Sequence, residues 1–300
     1  MIVRILGAAA GGGFPQWNCH CRGCEASRSG RATALTQSSI AIRSNGGDWF
    51  LINASPDVRQ QIELMRAHNC FAPQNGRSLP FAGIILTDAE IDHTTGLMLL
   101  RESSHPLKIY SSDRVKFALT TGYPLFSTLQ NYCGVDWSPL DAAISLASDL
   151  EVEAFALSTK PPKYMQKEDR LPDEVWGVGL TIRDLSTGKT LTYAPGLAAI
   201  DETMQRRLNA SDCIAIDGTF WTDDELPALG VGARSALQMG HLPLSGERGS
   251  LRQLEGLTGP RKILVHINNT NPILIPNSPE RQAVESQEIE IGCDGLMFDL

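Results

Sequence analysis

Short apolar strands alternating with amphipathic helices predict an α/β (α+β) fold, and three observations carry that prediction. Apolar, β-branched runs recur along the whole chain, as in "MIVRILG", "FAGIILTD" and "RKILV". Helical patterns stand between them, as in "SPDVRQQIELMRAH" and "DETMQRRLNA". Polar and ionisable residues gather where the strands end. No short repeat and no separating linker is visible, so residues 1–300 are expected to form one domain.

The elements follow in order. "MIVRILG", "SSIAIRS" and "DWFLINAS" read as strands, with "SNGGD" (44–48) as the hairpin turn between the last two. In "SPDVRQQIELMRAH", Ser55 is the expected cap, Pro56 suits the first turn, and Ile62, Leu64 and Met65 are apolar anchors. "FAGIILTD" is a buried strand, followed by a helix over about Thr94 to Glu102 and a strand at "LKIYSS". Residues 113–131 read as helical, broken at "GYPLF". "EVEAFALS" is a strand. The Pro- and charge-rich segment 160–173 is the expected flap. A hairpin around "STGK", a helix and strand in "DETMQRRLNASDCIAIDGTF", and a last strand running into "HINNTNP" complete the reading.

Composition narrows the function classes. The formal net charge of −8, with Lys and Arg scattered, argues against a nucleic-acid surface. No apolar run approaches the roughly 18 residues of a membrane helix, and glycines interrupt the apolar start too early for a targeting segment. A cytoplasmic protein is the expectation. Seven cysteines without a leader make a disulfide scaffold a poor reading.

Three of those cysteines sit in "WNCHCRGC": Cys19, Cys21 and Cys24. C-x-C-x-x-C turns three sulfurs toward one ion, and a thiolate-rich site is usually a closed, structural zinc site. The plainer alternative is three partly buried loop thiols. His20, inside the cluster, is expected to point away; His241, His266 and Asn269 are distant candidates for a fourth ligand.

The second cluster is "TDAEIDHTTG", with Asp88, Glu90, Asp92 and His93 at a strand-to-helix turn. Carboxylates this crowded repel unless a cation or a proton compensates them. The plainer alternative makes Asp92 a helix cap and His93 a satisfied surface residue. "ILVHINNTN" likewise delivers His266 from an apolar strand to a polar loop. Two imidazoles and one carboxylate make the donor set of a non-haem Fe(II) site with open positions. His241, in "MGHLPLS", is a candidate proton-transfer group, with a plain loop histidine as the alternative. Asp217 ends another apolar strand and is expected to line the same pocket; His68 and His105 read as surface residues.

"AAAGGGFPQWNCHCRGC", "QSSIAI", "LINASPDVRQQI", "GIILTDAEIDHTTGLMLLRE", "IDGTFW", "MGHLPLS" and "VHINNTNPIL" together resemble the coenzyme PQQ synthesis protein B family of the metallo-β-lactamase superfamily, over residues 8 to 275. The resemblance implies a four-layer αββα metallo-β-lactamase sandwich with the metal site along one edge of its sheets. The superfamily's H-x-H-x-D-H signature falls on "DAEIDH", so Asp88 and Glu90 replace the first two histidines while Asp92 and His93 are kept. His266 matches the late histidine, and "APGL" (194–197) stands where ribonuclease Z-type relatives carry a bridging aspartate. One metal position is thus largely dismantled.

The family further implies an iron- and oxygen-dependent hydroxylation, in pyrroloquinoline quinone (PQQ) biosynthesis, of the tyrosine ring of a cross-linked Glu–Tyr precursor derived from PqqA. Asp92, His93 and His266 would hold Fe(II), His241 would be catalytic, and Asp88, Glu90 and Asp217 would support ligands or substrate. The alternatives are a soluble carrier of PQQ or its precursor toward the periplasm and a metal-dependent hydrolase. Phosphonate-operon phosphodiesterases have a similar C-x-C-x-x-C zinc site, whose fourth ligand, a histidine, falls here on Asn269. Expected partners are the small amino-acid-derived precursor, with other PQQ-pathway proteins and a second copy (a homodimer) as candidates, and no nucleic acid.

Overall fold

The computed structural model describes residues 1–71, 77–140, 143–166 and 174–300. Two mixed seven-stranded sheets pack face to face between helices. The strands are β1 (Ile2–Gly7), β2 (Ser39–Arg43), β3 (Phe50–Ile52), β4 (Gly83–Ile85), β5 (Leu107–Ser111), β6 (Val135–Pro139), β7 (Ile144–Ala147), β8 (Leu150–Ser158), β9 (Gly177–Asp184), β10 (Thr190–Ala194), β11 (Cys213–Asp217), β12 (Arg261–Val265), β13 (Ile289–Ile291) and β14 (Met297–Asp299). The first sheet runs β14-β1-β2-β3-β4-β5-β6 and the second β13-β12-β11-β10-β9-β8-β7. Pairing is parallel from β3 to β6 and from β10 to β13, and antiparallel elsewhere.

Period-two alternation sorts the side chains between layers. Ile40, Ile42 and Ile85 join Leu180, Ile214 and Ile263 in the inter-sheet core, while Ala41, Ile84 and Leu86 face the other way. Their helical partners there include Val58, Ile62 and Met65 of the helix Val58–Ala67. Burying each large aliphatic side chain stabilises the fold by about 1.5–3 kcal/mol.

Two local expectations are corrected. The helix after Ser55 begins at Val58, with Asp57 as the capping residue; Ser55 Oγ accepts the Asp57 N–H at 3.2 Å and so closes the preceding turn. The helix expected over Thr94–Glu102 starts earlier and comes as two short pieces, Ile91–Thr94 and Gly96–Leu99. Gly96 N–H donates to Ala54 O at 2.9 Å, and a Cβ there would meet Ser55 O at 2.1 Å. Only glycine permits this approach, which seats the His93 turn against the loop after β3. Of the expected 160–173 flap, residues 167–173 lie outside the described residues. Among the described residues, no helix is long and apolar enough to cross a membrane.

Candidate metal centre

The carboxyl ends of parallel strands are where α/β sheets present their functional groups. Here β4 runs on to Asp88, Glu90, Asp92 and His93, β11 ends at Asp217, and β12 delivers His266. A pocket of about 350 Å³ opens over these ends.

Asp92, His93 and His266 meet at its floor, with one ligand atom from each all within 4.8 Å of one another. Asp92 Oδ2 lies 3.3 Å from His266 Nε2 and 3.9 Å from His93 Nε2. His93 is buried, its Nδ1 donates to the Asp88 carboxylate at 2.8 Å, and its Nε2 has no hydrogen-bond partner. A buried, orphaned imidazole nitrogen is costly unless something occupies it. A divalent cation fits that nitrogen and its two neighbouring donors.

Supporting hydrogen bonds fix the orientation of both rings. Asn53, in the left-handed region at φ 61°, is held to Thr87 by Nδ2–H to Oγ1 at 2.9 Å and by Thr87 N–H to Oδ1 at 3.0 Å. Thr87 Oγ1 donates to Asp88 at 2.8 Å, so the sequence Asn53–Thr87–Asp88–His93 is continuous. His266 also has positive φ, 56°, which costs a non-glycine residue of order 1–3 kcal/mol. Thr219 helps hold it: its hydroxyl lies 2.5 Å from Asp217 Oδ1 and 2.9 Å from His266 Nδ1. A carboxylate only accepts, so the hydroxyl donates to Asp217 and accepts from His266 Nδ1–H. His266 Nε2 is thereby turned toward Asp92 Oδ2, 3.3 Å away.

Asp217, His241 and His266 form a second cluster with one ligand atom from each within 4.8 Å. Its distances are those of a hydrogen-bond network. Asp217 Oδ2 accepts from His241 Nδ1 at 2.7 Å and from Leu197 N–H at 2.9 Å. His241 stacks on His266, ring centroids 5.3 Å apart, and lines the pocket. Asp217 itself is 1% exposed and is not among the lining residues; it acts from behind His241, which corrects the expectation that it faces the pocket.

The charges are mutually tuned. Burial opposes ionisation of Asp92 and Asp88, yet the adjacent imidazoles outweigh it and hold both carboxyls below the usual range. Burial disfavours the His93 cation, but Asp88 and Asp92 prevail and raise its pKa to about 9 in the metal-free protein. Glu90 differs: burial, Asp88 and Asp92 all push its pKa up.

The three thiols also converge, with Sγ atoms within 4.8 Å of one another. Cys21 caps the helix Arg22–Arg28 and Cys24 lies in its first turn. Burial pushes the Cys21 thiol up to about 12, while for Cys19 burial is outweighed by hydrogen bonds from Cys21, Cys24 and Asn269 that lower its pKa. Asn269 Nδ2 lies 3.3 Å from Cys24 Sγ and 3.8 Å from Cys21 Sγ. An amide N–H₂ donates and does not ligate, so Asn269 presents its carbonyl to a metal only with the amide turned. His20 is 82% exposed and pairs with Glu25, away from the thiols; His68 and His105 are exposed.

Sequence reasoning passed over Thr219, Asn53 and Thr87, the hydroxyls and amide that orient the site. The available sign was the D-G-T turn directly after an apolar strand.

A family model described as a beta-lactamase superfamily domain matches residues 48–267. The chain is 44% identical over 304 residues to coenzyme PQQ synthesis protein B of Methylococcus capsulatus, covering 99% of each. It is 45% identical over 309 residues to the protein of that name in Azotobacter vinelandii, covering 100% of each. Among solved structures, Zn(2+)-bound PqqB from Methylobacterium extorquens aligns with a TM-score of 0.89 at 36% identity, covering 100% of both chains. A diphosphatase of the PhnP family, at TM-score 0.67 and 16% identity, covering 100% of this chain and 97% of that one, is alike in fold.

Proposed function

The chain belongs to the coenzyme PQQ synthesis protein B family of the metallo-β-lactamase superfamily, and on that premise we propose that it acts in PQQ biosynthesis as a non-haem iron hydroxylase. The proposed substrate is the cross-linked Glu–Tyr amino acid derived from PqqA, hydroxylated on its tyrosine ring at the expense of oxygen. One observation carries this reading. His93 Nε2, orphaned and buried, faces the same space as His266 Nε2 and Asp92 Oδ2. Two imidazoles and a carboxylate are the donor set of Fe(II) oxygenases.

A two-metal hydrolase is less well supported. Asp88 stands where a metal histidine would be and is engaged with His93. The pocket wall at Pro195 and Gly196 brings no carboxylate. The zinc named for the Methylobacterium extorquens protein is compatible with the same donors, since imidazole and carboxylate accept either metal.

Bound iron would supply the one-electron steps that oxygen chemistry on an aromatic ring requires. The chain's own residues do the rest. Asp88 and Thr219 fix the two imidazoles and make them better donors. His241, its Nδ1–H held by Asp217, keeps Nε2 as the nitrogen that takes the substrate's proton. Glu90 lines the pocket and receives a substrate amine. Trp176, Val178 and Phe220 give the walls apolar surface that limits water. Cys19, Cys21 and Cys24 are assigned a structural zinc that ties the loop before β2 to the His266–Asn269 loop.

The test is anaerobic reconstitution with Fe(II), followed by oxygen and the cross-linked precursor. Oxygen-dependent gain of hydroxyl groups, abolished by His93→Ala, supports the proposal. Tight PQQ binding without turnover marks a carrier, and oxygen-independent ester or phosphodiester turnover with zinc marks a hydrolase.

A further inference from the structure

The pocket over the candidate metal centre has an asymmetry that the metal chemistry does not explain. Its floor is acidic, with Asp88, Glu90 and Asp92. Its wall carries Lys160, Lys163 and Arg234, in a chain whose net charge is −8. Like charges gathered over one cavity repel, and a concave, partly dry site amplifies their field.

Lys160 follows β8 and is half-buried. Its Nζ donates to Met239 O at 2.5 Å, at the C-terminal end of the helix Ala236–Met239. That bond engages one of three donors and supplies no counter-charge. Burial, the nearby Arg234 and Lys163 act against the Lys160 charge and outweigh the favourable pull of Glu90. Arg234 directly precedes Ser235, whose side chain and backbone form a capping box with Gln238 on the same helix. The backbone at Arg234 is therefore held beside a built helix start. The guanidinium has five N–H donors, and among the described residues it has no hydrogen bond or ion pair.

We propose that Lys160 and Arg234 form a carboxylate clamp that sets substrate orientation and specificity in this pocket. The clamp rests on the functional reading above and deepens it. A cross-linked Glu–Tyr amino acid has two carboxylates from glutamate, one from tyrosine, and two α-amines. The cationic wall receives carboxylates, Arg234 with the planar fork suited to bidentate pairing and Lys160 as a point charge. Glu90, the carboxylate of the lining that lies within electrostatic reach of Lys160, receives an amine. With the charged ends held apart in this way, the ring between them is presented to Asp92, His93 and His266. Neutral phenols and single-amine phenols of similar size lack the groups the clamp binds and leave its cations unpaired, so they are rejected.

The experiment uses zinc-loaded full-length protein, which has no redox chemistry to turn substrate over. Calorimetry measures binding of three compounds: the synthetic cross-linked Glu–Tyr amino acid, benzene-1,3,5-tricarboxylate and benzene-1,3,5-tricarboxamide. Arg234→Gln and Lys160→Gln are each expected to weaken both carboxylated compounds by about ten- to a hundredfold, the usual range for a lost hydrogen bond to a charged group. Arg234→Lys restores part of the loss. The tricarboxamide binds weakly and equally to all forms. Should Lys160→Gln disturb folding through its Met239 contact, Arg234→Gln still reads the clamp, and raising the salt concentration on wild-type protein should weaken the carboxylated compounds and spare the tricarboxamide. Equal affinity of wild type and Arg234→Gln for both carboxylated compounds, or no salt dependence, overturns the clamp. If the wild type binds the tricarboxylate in a clamp-dependent way but not the Glu–Tyr compound, the clamp stands and the substrate assignment fails.

Discussion

Replacing Asp88 by Asn isolates the role of one carboxylate that touches no metal. Asn is nearly isosteric, so its Oδ1 can still accept from His93 Nδ1–H and from Glu90 N–H, at the 2.8 and 3.0 Å now seen. Thr87 Oγ1, which now donates to Asp88, can accept from the new amide. What disappears is the negative charge behind the imidazole. That charge makes His93 a better donor, and removing such a partner typically weakens metal binding 10- to 100-fold, or about 1.4–2.7 kcal/mol. The same loss should bring the metal-free His93 pKa down from about 9 toward the ordinary value of 6.5. Cobalt(II) titration separates the two sites, because thiolate ligation gives charge-transfer bands that an imidazole–carboxylate site lacks. Asp88→Asn should weaken only the component without charge-transfer bands. An unchanged affinity there, within twofold of wild type, would refute the assignment of Asp88 as the group that orients and polarises His93.

Thr219→Val keeps shape and deletes the hydroxyl between Asp217 and His266; a loss of about 1–3 kcal/mol in unfolding free energy, with weaker metal binding, is expected by chemical denaturation and cobalt titration. With the cysteine site already filled, metal binding at Asp92, His93 and His266 should release close to one proton from His93 at pH 7, because His93 is protonated below about 9 in the metal-free centre; calorimetry in buffers of different ionisation enthalpy reads this, and affinity there should rise with pH until about 9. Asp294 has its pKa raised by burial from 3.8 to about 6, and its Oδ1 is buried without a partner. Its neutral form is favoured in the fold, so its stabilising contribution is complete below about pH 4 and is lost as pH rises through 6. Asp294→Asn should therefore stabilise at pH 8 by at most about 3 kcal/mol and leave stability at pH 4 unchanged, as thermal melting would show. Asn269→His should tighten metal binding at the cysteine cluster by adding an imidazole lone pair beside Cys24; an unchanged thiolate–cobalt spectrum would place Asn269 outside the coordination sphere.

The elements legible in the sequence are those whose apolar faces are buried on both sides. β1, β4, β11 and β12 show as β-branched runs because they lie inside the sheets. The strands passed over were β6, β7, β13 and β14, the four sheet edges. Edge strands are short, partly exposed and polar, as in "VDWSP" and "IEI", so they carry little hydrophobic pattern. In the site, ionisable residues stood out because Asp, His and Cys at strand ends need a reason. The hydroxyls and cations did not: Thr219 resembles any loop threonine, and Lys160 and Arg234 meet only through the fold. The helix expected from Thr94 to Glu102 is interrupted at Thr95 for a tertiary reason, the contact of Gly96 with Ala54 and Ser55, which no local propensity reports.

Oxygen uptake on anaerobically prepared, Fe(II)-loaded protein tests the central claim most directly. Under single turnover with the cross-linked Glu–Tyr amino acid, oxygen should be consumed in step with hydroxylated product by wild type and not by His93→Ala. No oxygen uptake by iron-loaded protein that binds the precursor, or equal conversion by the zinc form without oxygen, would contradict it.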